Sequence, residues 1–404
     1  MDYPLEGIRI LEWGIFHAGP GGTAILGDLG AEVIKIEQRG KGDPIRHRDR
    51  FGRTSFALPG GRNLFFEGSN RNKRSIAIDL NKEKGKEIVY HLTPKFDIFL
   101  TNLRRKTVEK MAMTYPTLSR LNPRLIYVSV SGYGPKGPDR DRGGFDFQGQ
   151  ARSGMMYSAG EPEMPPLLLN FGLIDQVTAI VVSQAILTAL FMRERTGKGQ
   201  EVQTSILGAA LHLSYFNFLN ALWLHQDVPR HHHMDTDPTR NYYCCKDGKW
   251  FIVTLQPTSE EDWASFCQAI GYPELEEDSR FDTPEKRTQE HSRELIPLLD
   301  QLFLTKTRDE WLEAFRKYDL IACAVSRATE LKDDPQVREN YLDEIDHPSL
   351  GKVEIPAFPV HFSQARAGTR KVAPMLGENT EEILREFGGY SEQEIEQFKK
   401  EEVI

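Results

Sequence analysis

With 404 residues, 39% of them hydrophobic and 27% charged, the chain is long for one core and ordinary in composition, which favours two globular domains. Its net charge of −8 excludes a broadly basic nucleic-acid binder. The opening residues lack the basic and apolar regions of a secretory signal, and Cys244, Cys245, Cys267 and Cys323 form no C-x-x-C pair, so a reduced, cytoplasmic setting is expected.

Gly7–Trp13 reads as a strand, Gly21–Leu29 as a helix and Ala31–Glu37 as a second strand. Ser75–Leu80, Phe96–Leu100 and Leu125–Gly132 follow as strands, with a helix over Lys82–Leu92. Strands separated by helices predict a parallel sheet with crossover connections, hence an α/β, Rossmann-like large domain. Gly134–Gly144 is a turn-rich loop. Asp175 opens a long helix reaching about Glu194. Its apolar run, Val177–Met192, is 16 residues and includes Thr178, Ser183, Gln184 and Thr188. That is short for a membrane span, so a buried helix and no membrane association are expected.

Thr196–Gln200 stops this helix, and a strand and an apolar helix run on to about His225. Residues 226–240 form a polar linker. A smaller α+β domain is expected over 241–330, with strands at 241–245 and 249–255 and helices near 260–270, 290–303 and 308–317. Residues 331–404, strand-like over Gly351–Phe362 and then a helix pair, return to complete the large domain begun by 1–225.

Residues 39–74 carry ten Lys or Arg against three acids (Asp43, Asp49, Glu67), and Arg104, Arg105 and Lys106 form a second cluster. A basic region inside an acidic protein suits a compact phosphate-bearing ligand, or a solvated, salt-bridged face. Gly19-Pro20-Gly21-Gly22-Thr23-Ala24 matches G-x-G-x-x-A, with Glu37 where a ribose-binding acid would lie, so a dinucleotide-dependent oxidoreductase is one alternative. Five residues separate the strand from the first glycine, however, and the fingerprint requires an immediate turn. A loop of small residues that admits another phosphate to backbone amides fits better. Three consecutive histidines, His231–His233, cannot all face one ion from regular structure, so a solvated linker and no metal site are expected.

Asp175 stands between the apolar segment Leu167–Ile174 and the long helix. It is either an N-cap or a carboxylate kept ionised by the helix N-terminus as a nucleophile, and position alone does not separate the two. Aromatics crowd Leu211–Leu224 and Phe56–Phe66. They are either core packing or the wall of a pocket for a bulky, partly apolar acid.

Several blocks together resemble the class III CoA-transferases, the family of formyl-CoA transferase and carnitine CoA-transferase. They are Pro4–Glu12, Ala18–Pro20, Leu29–Glu37, Asn72–Ile76, Gly132–Gly134 with Gly137-Pro138, Arg193–Gln200 and Pro374–Thr380, in that order along nearly the whole chain. The resemblance implies that Asp175, the aspartate at the start of the helix before the Arg-x-Arg-Thr-Gly block, is the covalent nucleophile. It places CoA at His17 and Ala18, at Asn72, Lys73 and Arg74, at Asn102 and Leu103, and at Lys110, with Arg39 or Arg142 reaching a phosphate. CoA and acyl-CoA are then substrates, with no tightly bound cofactor.

Transfer of CoA from a donor such as succinyl-CoA to a carboxylic acid is implied, by way of an aspartyl anhydride and an aspartyl–CoA thioester. An interlocked, ring-like dimer is implied too, either a homodimer or a pair with a homologous chain. Gln38 stands where some relatives have arginine. The tetraglycine loop of formyl-CoA transferase is missing, which argues against formate or oxalate and leaves His231–Arg240 to take its place. A branch of the same superfamily racemises 2-methylacyl-CoA with a His/Asp pair, but Gly132–Gly154 has no histidine to supply one.

Overall fold

The computed structural model describes residues 2–256 and 260–404. The chain forms two compact units. The first comprises Met1–Met156, Leu168–Gln226 and Glu339–Ile404, and the second Tyr157–Leu167 and Asp227–Arg338.

The first unit is built on a six-stranded sheet: β1 Arg9–Trp13, β2 Glu32–Gln38, β3 Lys73–Ile78, β4 Ile98–Thr101, β5 Ile126–Ser131 and β6 Gln200–Ser205. Every pairing is parallel and the order is β6-β5-β4-β1-β2-β3. Successive strands step away from β1 on one side, then the chain crosses over and steps away on the other. The order therefore reverses between β1 and β4, where doubly wound sheets open a crevice at the carboxyl ends of the strands.

Both faces of the sheet are covered, so its strands are apolar on both sides. Ile10, Val33, Ile98 and Val128 face one core, shared with the helices Pro20–Asp28 and Leu173–Thr196. Leu11, Ile34, Ile76 and Phe99 face the other, shared with the helix Glu83–Leu92 and the C-terminal helices Thr380–Glu386 and Glu392–Lys400. Leu173–Thr196 is the one helix among the described residues long and apolar enough to cross a membrane. Ile174, Val182, Ile186 and Leu190 are nevertheless buried in this core. The Arg-x-Arg-Thr-Gly-x-Gly block ends that helix for physical reasons. Arg193 pairs with Asp97 at 2.9 Å, Gly197 takes φ +73°, and a Cβ on Gly199 would lie 2.1 Å from the Leu125 carbonyl.

Several elements depart from the sequence expectations. The apolar segment after β6 is two helices, Ile206–Leu213 and Tyr215–Leu224. The strand expected over Gly351–Phe362 ends at Pro356 and forms a hairpin with Leu342–His347. Two further short hairpins occupy residues 50–63.

The second unit holds a three-stranded antiparallel sheet, Tyr242–Cys244, Trp250–Val253 and Ala322–Val325. Helices Ser292–Phe303 and Arg308–Lys317 contribute to its aromatic core of Tyr243, Phe251, Phe303, Trp311 and Phe315. Residues 227–240 fold with this unit. His233 lies 3.1 Å from Asp300 and 3.2 Å from Asn241, while His232 faces Glu161 and Glu163 at 3.5 and 3.7 Å.

Candidate active site

The helix bearing Asp175 starts two residues earlier than the sequence implies. Gly172, at φ +74°, turns the chain, and Leu173 is the first helical residue. Asp175 thus stands in the first turn, and the cap comes from elsewhere. Asp146 Oδ1 accepts the backbone N–H groups of Ile174 at 2.6 Å and Asp175 at 3.1 Å. The helix Asp146–Arg152 approaches closely because Gly149 has no Cβ to meet Ile174 and Ile206. Gln150 holds the other Asp146 oxygen with an N–H at 2.7 Å.

The N-cap reading of Asp175 is therefore corrected. Asp146 takes the amides, and the Asp175 carboxylate has no hydrogen-bond or ion-pair partner among the described residues. The expectation that the helix N-terminus keeps Asp175 ionised is corrected with it. Burial first, and the Asp146 charge second, push its pKa up to about 7.

The segment between β1 and the helix Pro20–Asp28 runs beside this aspartate. His17 Nε2 lies 2.7 Å from Gln176 Oε1, and Nδ1 lies 2.8 Å from Ser69 Oγ, which itself donates to the Phe65 carbonyl. Burial holds the imidazole below its ordinary pKa, which favours the neutral ring. Asn102, just past β4, accepts the Ile15 N–H at 2.8 Å and donates to the Ile15 carbonyl at 2.7 Å, pinning the segment at the switch point. The N–H groups of His17, Ala18 and Gly19 make no hydrogen bond of good geometry to the described residues, although Ala18 and Gly19 are buried. Buried backbone donors are rarely left so.

The glycines of the G-x-G-x-x-A match serve packing. Cβ atoms at 19, 21 and 22 would meet Asn102 and Leu100, the His17 ring, and Val182, the last at 2.5 Å. Glu37 is equally committed, accepting from Arg46 at 2.7 and 2.8 Å and from Ser75. Packing and ion pairing within the protein therefore account for both features of the dinucleotide alternative.

The residues expected at CoA separate into two groups. His17, Ala18, Asn102 and Leu103 stand at the carboxyl ends of β1 and β4. Nearby, Arg105 pairs with Asp141 at 3.0 Å and Arg104 lies against Gly143, which joins the segment leading to the exposed Lys110 with the loop carrying the exposed Arg142.

The side chains of Asn72 and Lys73 are buried and engaged within the protein, contrary to their expected place at phosphates, while those of Arg74 and Arg39 make contacts nearer the surface. Lys73 is enclosed and donates to Glu12 at 2.6 Å. Burial would raise the Glu12 pKa, but Lys35 and Lys73 outweigh it and hold it down at about 2. Asn72 accepts the N–H groups of Arg370 and Lys371. Arg74 pairs with Glu32, Glu382 and Glu386, and Arg39 donates to the Ile404 carbonyl at 2.8 Å.

A family model described as CoA-transferase family III matches residues 5–380. The chain belongs to CoA-transferase family III. The transferase is 32% identical to succinyl-CoA–D-citramalate CoA-transferase of Chloroflexus aurantiacus, over 99% of this chain and 98% of that protein. It is 31% identical to cinnamoyl-CoA:phenyllactate CoA-transferase of Clostridium sporogenes, over 99% and 97%. The crystal structure of a CAIB/BAIF family protein from Brucella suis matches it with a TM-score of 0.85 and 29% identity, covering 96% of this chain and all of that one.

Asp146, Phe51, Phe147 and Phe171 are what the sequence reading missed, whereas Phe56 and Phe65 lie in the aromatic stretch it singled out. Phe51, Phe56, Phe65, Phe147 and Phe171 form one half-buried cluster with ring centroids 4.3–6.2 Å apart, and Phe65 also touches His17.

Proposed function

We propose that this transferase moves CoA from a donor such as succinyl-CoA to a bulky, partly apolar carboxylic acid through covalent intermediates on Asp175. The observation that carries the reading is the unpartnered Asp175 carboxylate at a helix start that Asp146 already caps. An ionised Asp175 oxygen attacks the thioester carbonyl, and the C–S bond breaks to give an aspartyl–acyl anhydride and CoA thiolate. The thiolate attacks the aspartyl carbonyl, releasing the donor acid and leaving an aspartyl–CoA thioester. The acceptor carboxylate attacks that thioester and expels the thiolate. The thiolate then attacks the acceptor's acyl carbon, forming the new acyl-CoA and restoring Asp175.

The free amides of Ala18 and Gly19 are the donors for the tetrahedral oxyanions. Lys110, Arg142 and the Arg104 segment, at the carboxyl side of the sheet, hold the CoA phosphates. Phe51, Phe56, Phe147 and Phe171 form the acyl wall and exclude the water that would hydrolyse the anhydride.

A dimer, of two copies or with a homologous chain, is part of the same proposal. The helix Tyr215–Leu224 buries none of its residues, and Phe216 and Trp223 are 82% and 73% exposed. A panel of carboxylic acids offered with succinyl-CoA and acetyl-CoA, scored by mass spectrometry for new thioesters, tests the reaction. Hydrolysis without any new thioester would refute it.

A further inference from the structure

Four charges are enclosed around the segment that links β1 to the helix Pro20–Asp28, and none of them takes part in the chemistry above. The side chains of Glu12, Lys35, Asp43 and Lys73 are fully buried. Glu12 accepts from Lys35 at 2.9 Å and from Lys73 at 2.6 Å, and Lys35 pairs with Asp43 at 3.0 Å, so two acids face two ammonium groups.

Each ammonium also grips the segment's backbone. Lys35 donates to the Gly14 carbonyl and Lys73 to the Pro20 carbonyl, both at 2.8 Å. Asp43 Oδ1 accepts the Phe16 N–H at 3.1 Å. The third donor of Lys73 goes to Asn70 at 3.0 Å, so this ammonium has no N–H to offer a ligand. The grips fall at residues 14, 16 and 20, and the unpartnered amides of His17, Ala18 and Gly19 lie between them. Phe16 sits at φ +58°, a conformation that a phenylalanine keeps only when its surroundings impose it. Stability is a poor reason for such a cluster, because apolar replacement of buried ion pairs is often neutral or favourable.

We infer that the Glu12–Lys35–Asp43–Lys73 quartet is the positioning device for the Ala18 and Gly19 amides, with Lys35 and Lys73 as positioning residues and not phosphate ligands, a role that presupposes the acyl chemistry proposed above. The quartet holds the segment rigid so that the amides need no rearrangement as the oxyanion forms.

The test compares single-turnover acylation of the full-length enzyme, using whichever of succinyl-CoA and acetyl-CoA reacts faster with the wild type. Glu12→Gln/Lys73→Met removes one charge of each sign and leaves Lys35 paired with Asp43. The double variant should fold, acylate roughly 10- to 100-fold more slowly and lose kcat in proportion, with KM for acyl-CoA within about threefold of the wild type. A folded double variant with wild-type acylation, or with raised KM and unchanged kcat, overturns the inference. Asp43→Asn keeps an acceptor for Phe16 while deleting the charge that faces Lys35. It should slow acylation roughly three- to tenfold, and it decides the matter if the double variant does not fold: a wild-type rate then overturns the inference. Absence of any acyl adduct on wild-type Asp175 would instead remove the proposed function.

Discussion

Asp146, and not Asp175, caps the start of the helix that carries Asp175. Asp146 Oδ1 accepts the Ile174 and Asp175 amides, and the Asp175 carboxylate has no partner among the described residues.

The pair predicts a pH dependence. With its pKa near 7, Asp175 is half protonated at neutrality, so acylation should rise with pH through about 7 and then level off. Asp146→Asn keeps a cap oxygen but removes the neighbouring charge, and should move that inflection to lower pH. A stopped-flow pH profile of both enzymes checks this, and coincident profiles count against it. Stability runs the opposite way to activity. Because the folded-state pKa of Asp175 is raised, its contribution is fully present below the unfolded value near 4 and is lost as pH rises through 7. The stability advantage of Asp175→Asn over the wild type should therefore be small near pH 4 and grow to on the order of 2–4 kcal/mol by pH 7, measurable by urea unfolding.

The basic residues separate by burial. Lys73→Met leaves Glu12 one counter-ion short inside the protein and should cost about 3–5 kcal/mol of folding stability. Lys110→Ala and Arg142→Ala are exposed changes that should leave unfolding curves unmoved and raise KM for acyl-CoA roughly tenfold or more, as for a lost hydrogen bond to a charged group. Unfolding curves and KM for the three variants are the measurement. The opposite pattern would return the phosphates to Lys73.

The parallel sheet was readable because its strands are apolar runs set between helical patterns, and Leu125–Gly132 or Ala31–Glu37 needed no distant partner to be recognised. Asp146 was not readable: it lies 29 residues before Asp175, and only Gly149 packing on Ile174 brings the two together. Lys73 and Arg74 looked alike in sequence as neighbouring cations on one strand. Alternation sends them to opposite faces, one into a sealed ion cluster and the other to three surface glutamates. The same holds for the aromatics, where Phe56 and Phe65 joined Phe171 at the site while the rings of Tyr215–Leu224 stayed exposed.

That cluster predicts selectivity. Phe171, four residues before Asp175, packs against Phe51 at 4.3 Å and Phe65 at 4.9 Å between ring centroids. Phe171→Ala should lower kcat/KM for branched or aryl acids by roughly tenfold, while acetate changes far less, because a half-buried ring supplies roughly 1–2 kcal/mol of apolar contact. Competition assays with mixed acids read the ratio directly. An equal loss for every acid would assign Phe171 to packing alone.

The most direct measurement of the central claim is the covalent state of Asp175. Wild-type enzyme incubated with acyl-CoA and no acceptor should carry an acyl or CoA adduct that peptide mapping places on Asp175. Asp175→Asn keeps the shape, and Asp146 still caps the helix, so this variant should remain folded and lose both adduct and turnover. Near wild-type CoA transfer by Asp175→Asn, with no deamidation back to aspartate, would contradict the account.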